Sequence, residues 1–185
     1  FHFACQGGHF DVVKILVETA AGRNIDLTTK TKQGDTAFHL ACTNGHSAVV
    51  KILMDNAADL SIDVNEEDII GMPPFVLACH YDSADLIKNF MENAAKLGID
   101  LNATALCLSN WTGFHLACAK GYANVVKLFM KNAANLSIDL NAKSRYGITA
   151  FNTACVSRQS EVVVKILKDN AVALGINLND NMPYM

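Results

Sequence analysis

Five of the six cysteines, Cys5, Cys42, Cys79, Cys118 and Cys155, follow one another at intervals of 37, 37, 39 and 37 residues. Spacing this regular marks an internal repeat and displaces any reading of these cysteines as a disulfide or metal framework. The same phrase surrounds each one: Phe1-His2-Phe3-Ala4-Cys5, Phe38-His39-Leu40-Ala41-Cys42, Phe75-Val76-Leu77-Ala78-Cys79, Phe114-His115-Leu116-Ala117-Cys118 and Phe151-Asn152-Thr153-Ala154-Cys155. A second phrase follows, as in Val12-Val13-Lys14-Ile15-Leu16, Val49-Val50-Lys51-Ile52-Leu53 and Val125-Val126-Lys127-Leu128-Phe129. Its apolar residues at i, i+1 and i+4 fit one face of an amphipathic helix. Each unit is therefore predicted to be two helices joined by a short turn, and one such pair buries its apolar face only by stacking on its neighbours.

The turn inside the unit carries Gly8-His9, Gly45-His46 and Gly121-Tyr122, where glycine can take the left-handed conformation that ends a helix. The segments between units are polar, with glycine at 34, 71 and 147, and Thr36, Thr112 and Thr149 stand where an N-cap would begin the next helix. These segments read as hairpin-like fingers.

Gly34-Asp35-Thr36-Ala37-Phe38-His39-Leu40-Ala41-Cys42, followed by Gly45-His46 and Val49-Val50-Lys51-Ile52-Leu53, resembles the ankyrin repeat, with Thr-Ala-Phe-His in place of the usual Thr-Pro-Leu-His. The resemblance covers essentially the whole chain. It implies an all-α solenoid of stacked helix-turn-helix units joined by β-hairpin-like fingers. The expected units are 1–27, 28–64, 65–101, 102–140 and 141–178, with 179–185 as a C-terminal tail. The usual unit has about 33 residues. Here Asn56, Asn93, Asn132 and Asn170 replace the glycine that normally breaks the second helix, and Ser61, Gly98, Ser137 or Gly175 comes later, with Asn24 in the first unit. The second helix is thus expected to run about one turn, roughly 6 Å, further than usual and to stop at those later positions. Phe1 enters in mid-phrase, so the chain is expected to be a fragment truncated at its N-terminus. Thr153 and Lys168 replace recurring Leu and Met, which suits a capping last unit with a wetter outer face.

Several kinds of chemistry are disfavoured. Fifteen Lys plus Arg against eighteen Asp plus Glu leave a formal charge of −3, which gives no basis for wrapping nucleic acid or an anionic bilayer. Leu101–Ala119 has no charged residue, but Asn102, Thr104, Ser109, Asn110, Thr112 and Gly113 interrupt it, so it is not expected to enter a membrane. The five repeating cysteines are expected to be small core residues, and Cys107, in a two-residue insertion, to be an exposed thiol. Reduced cysteines and the lack of a visible signal peptide point to the cytoplasm or nucleus. His2, His39 and His115 share one repeat position; the resemblance implies that they bond to backbone between units. It also makes Asn65, Asn102, Asn141 and Asn179 candidate sites of asparagine hydroxylation, against a plain role in supporting the turn backbone. No hydrolase, zinc-protease, phosphate-loop or dinucleotide motif occurs, so no catalytic, cofactor or metal residue is assigned and an enzyme is not expected.

The resemblance implies that partners are met by the finger tips and the exposed side of the first helix, along a concave face. Carried over position by position, it singles out Ile69, Ile70, Met72, Tyr81, Leu108, Trp111, Tyr146 and Ile148 as apolar side chains at sites nominally facing solvent. Clustered apolar and aromatic side chains of this kind usually mark an interface; the competing reading is a strip that packs finger against finger. The chain is expected to be a monomeric, non-catalytic scaffold for an unidentified protein. The alternative is the recognition part of a larger enzyme, ubiquitin-ligase adaptor or channel. The third unit, with Met72-Pro73-Pro74 in place of the Thr cap and Asn89 at an apolar position, is read as a weak point.

Overall fold

The computed structural model describes residues 1–23, 26–158 and 160–179. Within them the helices form consecutive pairs: α1 (His2–Gln6) with α2 (Phe10–Arg23), α3 (Ala37–Thr43) with α4 (Ser47–Asp55), and α5 (Pro74–Ala78) with α6 (Ala84–Leu97). The pairs α7 (Gly113–Lys120) with α8 (Ala123–Asn132) and α9 (Ala150–Val156) with α10 (Glu161–Leu174) complete the row. First helices stack on first helices and second on second, giving an all-α repeat solenoid.

Threonine starts three of the first helices. Thr36, Thr112 and Thr149 each accept from the backbone N–H three residues on, and the side chains there, His39, His115 and Asn152, accept from the cap N–H in return. This reciprocal box normally uses Glu or Gln. α5 has no such cap; Pro74 occupies its first turn, where the missing N–H costs nothing.

The second helices divide into two kinds. α6 and α10 run to Leu97 and Leu174 and end at left-handed Gly98 and Gly175, as the spacing predicts. The expectation fails for the other two described cases, since α4 ends at Asp55 and α8 at Asn132. Beyond them the chain continues as turns to Ser61 and Ser137, at φ 55° and 52°. All four nevertheless close alike, with Ile62, Ile99, Ile138 and Ile176 each donating to the carbonyl five residues back at 2.9 Å. Glycine enters the left-handed region freely, whereas a residue with a Cβ does so at a cost of about 1–2 kcal/mol. The full helix survives where glycine is the stop. The expected stop at Asn24 lies outside the described residues.

Apolar side chains from both helix rows form one continuous core. Through it runs an aromatic zigzag, Phe38–Phe90–Phe75–Phe129–Phe114, with centroid separations of 6.0, 5.3, 5.9 and 5.4 Å. Each tilted pair contributes about 0.5–1.5 kcal/mol beyond area burial, and the steps alternate between joining neighbouring helix pairs and joining the two helices of one pair. Cys5, Cys42, Cys79 and Cys118 are buried in this core, and burial pushes the Cys5 thiol up to about 12. Cys155 departs from the expectation: it is exposed, because α9 is the last described first helix and no further one covers it. Thr153 departs in the other direction, being buried with its hydroxyl donating to Ala150 O at 2.7 Å, while Lys168 is exposed. Asn89 is satisfied by donating to Ser47 O at 2.9 Å, so it leaves no unpaired amide in the third pair.

Candidate interaction surface

Two hydrogen-bond series fix the face formed by the fingers and the C-terminal ends of the first helices. At the helix ends, a side chain from each unit reaches back to a carbonyl of the previous one. His46 Nε2 donates to Gln6 O at 2.8 Å, the Tyr81 hydroxyl to Thr43 O, the Tyr122 hydroxyl to His80 O at 2.8 Å and Ser160 Oγ to Cys118 O at 2.6 Å. These carbonyls lie in or just past the last turn of the first helices, where helical partners run out, so the bonds engage them and set the stacking register. Burial raises the Tyr122 hydroxyl above its ordinary value, so it stays a donor.

The fingers touch in the same order. Ile69 covers Gly34, Leu106 covers Gly71 and donates its N–H to Gly71 O at 3.2 Å, and Arg145 N–H donates to Ser109 O at 2.8 Å. A Cβ at Gly34 would collide with Ile69, so the close approach itself requires glycine there. The fourth finger is a short hairpin, β1 (Thr104–Ala105) antiparallel to β2 (Trp111–Thr112), with a 3-10 turn, Leu106–Leu108, between them.

Behind the fingers lie the buried histidines. His115 Nε2 donates to Ile148 O at 3.0 Å, while its Nδ1 accepts from the Thr112 hydroxyl at 2.8 Å, which fixes the neutral tautomer. His2 Nε2 makes the corresponding bond to Thr29 O at 2.8 Å. His39 Nε2 has no partner of normal geometry, although the backbone of Glu66 still acts on the ring. Burial holds both His39 and His115 below the ordinary histidine value.

The predicted contact residues separate into three groups. Ile69, Ile70 and Tyr146 are exposed, at 73%, 57% and 55%. Leu108, Trp111 and Ile148 are half-buried; Trp111 packs against the core and stacks on His115, with centroids 6.1 Å apart. Met72 is 5% exposed and does not face solvent, which corrects its assignment. The reason is local. The left-handed turn at Gly71 reverses the chain, Met72 N–H is held by Asp68 Oδ1 at 2.9 Å, and the side chain is delivered into the core. Residues before the finger glycine therefore point outward, and those after it turn inward. Tyr81 is exposed on one side only, with its ring over Gly45 and its hydroxyl engaged.

Leu106, 61% exposed, was not among the predicted residues. The two-residue insertion supplies the missing signal: it adds the 3-10 turn and shifts the outward position from 108 to 106.

A family model described as ankyrin repeats (3 copies) matches residues 1–68 and 75–182. The chain belongs to the ankyrin-repeat family. Ankyrin repeats are in general protein–protein interaction modules, and proteins built from them are typically non-catalytic. A search of curated proteins found none that matches this ankyrin-repeat chain. Among the described residues, no group of three His, Cys, Asp or Glu side chains could hold a metal ion, and no helix is long and apolar enough to cross a membrane. A cavity of about 330 Å³ lies between the first two units, lined by Leu27, Thr36, Phe38, Leu53, Lys30 and Glu66 among others. Two of its charged residues, Lys30 and Glu66, form an ion pair at 2.5 Å, and Asp63 also lines it.

Proposed function

We propose that the chain is a five-unit array, with units at 1–27, 28–64, 65–101, 102–140 and 141–178, that acts as a monomeric, non-catalytic scaffold for a protein partner. The contact surface is the finger-side face of units three to five, centred on Ile69, Ile70, Leu106 and Tyr146, with Tyr81, Leu108, Trp111 and Ile148 shaping its floor. The observation that carries this reading is the fingers' lateral linkage. The bonds from Leu106 N–H to Gly71 O and from Arg145 N–H to Ser109 O hold exposed apolar side chains on one continuous, ordered surface, where a partner need not immobilise them first. Packing against the core accounts for Met72 and for much of Trp111. It leaves Ile69, Ile70, Leu106 and Tyr146 largely uncovered, and such residues suit the desolvated centre of an interface.

Affinity capture compares the native chain with Leu106→Asp and Tyr146→Ala. Both variants keep the melting temperature within a few degrees, as surface substitutions do, and both lose the captured protein. Retention of that protein by both would refute the assignment.

A further inference from the structure

The aromatic series in the core stops short of the junction between the first two units. Phe90 packs between Phe38 and Phe75, and Phe129 between Phe75 and Phe114. Each of these second-helix rings thus meets the first-helix phenylalanine of its own unit and that of the unit before. The same repeat position in the second unit is Leu53, and the corresponding first-helix phenylalanines are Phe38 and Phe1. All three side chains line the cavity of about 330 Å³, together with Leu27 and Ile62. The series therefore ends where the cavity opens, with a branched side chain in place of a ring.

Burial sorts the lining. Leu27, Phe38 and Leu53 are buried and form an apolar floor, whereas Lys30 and Asp63 are exposed and Glu66 is half-buried at the mouth. Glu66 is tied to Lys30. Asp63 accepts the N–H of Asn65 at 2.9 Å through Oδ1 and takes part in none of the ion pairs among the described residues. Lys96 shares an adjoining groove with Asp63 but does not line this cavity. Thr28, also on the lining, donates its N–H and its hydroxyl to Asp26 Oδ1 at 2.8 and 2.6 Å, and these bonds hold the Asp26 carboxyl below its ordinary range. Three carboxylates thus stand beside the cavity against Lys30 and the α-amino group of Phe1, which leaves its mouth with an excess of negative charge.

We propose that this cavity binds a small aromatic amine, a single ring on a short tether that ends in an ammonium group. The ring lies over Leu53 between Phe1 and Phe38, in the tilted packing that Phe90 and Phe129 adopt further along the core. The ammonium faces Asp63 and Glu66, the two carboxylates on the lining. The volume is at the lower end of the range for small-ligand pockets, about 300–1,000 Å³, so it suits one ring and not a nucleotide. Because these carboxylates are partly solvated, they select the charge of the ligand more than they tighten its binding. A molecule of this size should bind with a Kd of about 0.1–1 mM. None of the lining residues belongs to the finger-side contact surface, so this site stands or falls independently of partner docking.

The test titrates phenethylamine, phenethyl alcohol and hydrocinnamate into the full chain and follows the methyl resonances of Leu27, Leu53 and Ile62 by NMR. The amine should give saturable shifts at these methyls, with the alcohol roughly tenfold weaker and the carboxylate weaker still. Asp63→Asn, which can still accept from Asn65 N–H, should weaken the amine severalfold and leave the melting temperature unchanged. Leu53→Phe puts a ring of the protein's own beside Phe38; it should abolish binding of the amine and hold or raise the melting temperature. Equal binding of the three compounds, preference for the carboxylate, or amine binding indifferent to Asp63→Asn would overturn the inference. So would the absence of saturable shifts below about 10 mM, or binding that survives Leu53→Phe. A lowered melting temperature in Leu53→Phe would show that no room for a ring exists beside Leu53, and would overturn it as well.

Discussion

The side-chain amide of Asn65 donates from Nδ2 to the carbonyl of Gly98 at 2.8 Å, while its Oδ1 accepts from Asp100 N–H at 3.2 Å. Both ends of the amide are thereby engaged by the loop that closes the next helix pair. Asn102 repeats this with Ser137 O and Asp139 N–H, and Asn141 with Gly175 O and Asn177 N–H. The recurring asparagine is thus a stitch between units, placed where the left-handed stop leaves its carbonyl without a helical partner. Asn102→Ala should lower stability by about 0.5–1.5 kcal/mol in urea unfolding, the usual net worth of such bonds. Asn102→Asp, which can still accept but not donate, should fall between. No loss with alanine would show that the stitch is decorative.

Protonation supplies a second prediction. His39 and His115 stay neutral in the folded chain because burial lowers their affinity for a proton, whereas in the unfolded chain they titrate near the ordinary value of about 6.5. The unfolded state thus binds more protons below that value, so stability is full above about pH 6.5 and falls as pH drops through it. In His115→Asn, the new side chain can keep the capping box, as Asn152 does beside Thr149, but loses the bond to Ile148 O. It should cost about 0.5–1.5 kcal/mol at neutral pH and flatten the acid decline seen by thermal melting. An unchanged decline would remove His115 from the explanation.

The repeat, the helix pairs and the threonine caps were legible because each rests on local rules: apolar spacing, a side-chain oxygen before a helix, glycine after it. What escaped depended on neighbours in space. Met72 looked exposed by position, yet the reversal at Gly71 turned it inward. Leu106 went unseen because a two-residue insertion moved the outward position. Cys155 shares its phrase with four buried cysteines and differs only in lacking a next first helix above it among the described residues. The second helix is shorter than the spacing predicts in two units because serine and glycine are not equal stops: only glycine takes the left-handed cap freely.

Gly113 tests the closeness of the stack. A Cβ there would lie 2.5 Å from Cys79 Sγ, so α7 approaches α5 as closely as a glycine allows. Gly113→Ala should destabilise by about 1–3 kcal/mol through overpacking, and adding Cys79→Ala should recover part of that loss. Additive effects of the two substitutions would deny the contact.

Thiol accessibility follows from the same packing. In the native chain, Cys107 and Cys155 should react with a thiol reagent, and Cys5, Cys42, Cys79 and Cys118 only after denaturant is added. Burial also raises the Cys155 thiol, so it should react more readily as pH rises. Fast labelling of Cys118 without denaturant would contradict the core described above.

The central claim, that partners dock on the finger-side face, is tested most directly by site-specific photo-crosslinking. A benzophenone amino acid is placed at Leu106, at Tyr146 and, on the second-helix row, at Lys165. The account predicts one crosslinked protein shared by positions 106 and 146 and absent at 165. Crosslinks that appear only at 165, or equally at all three positions, would contradict it.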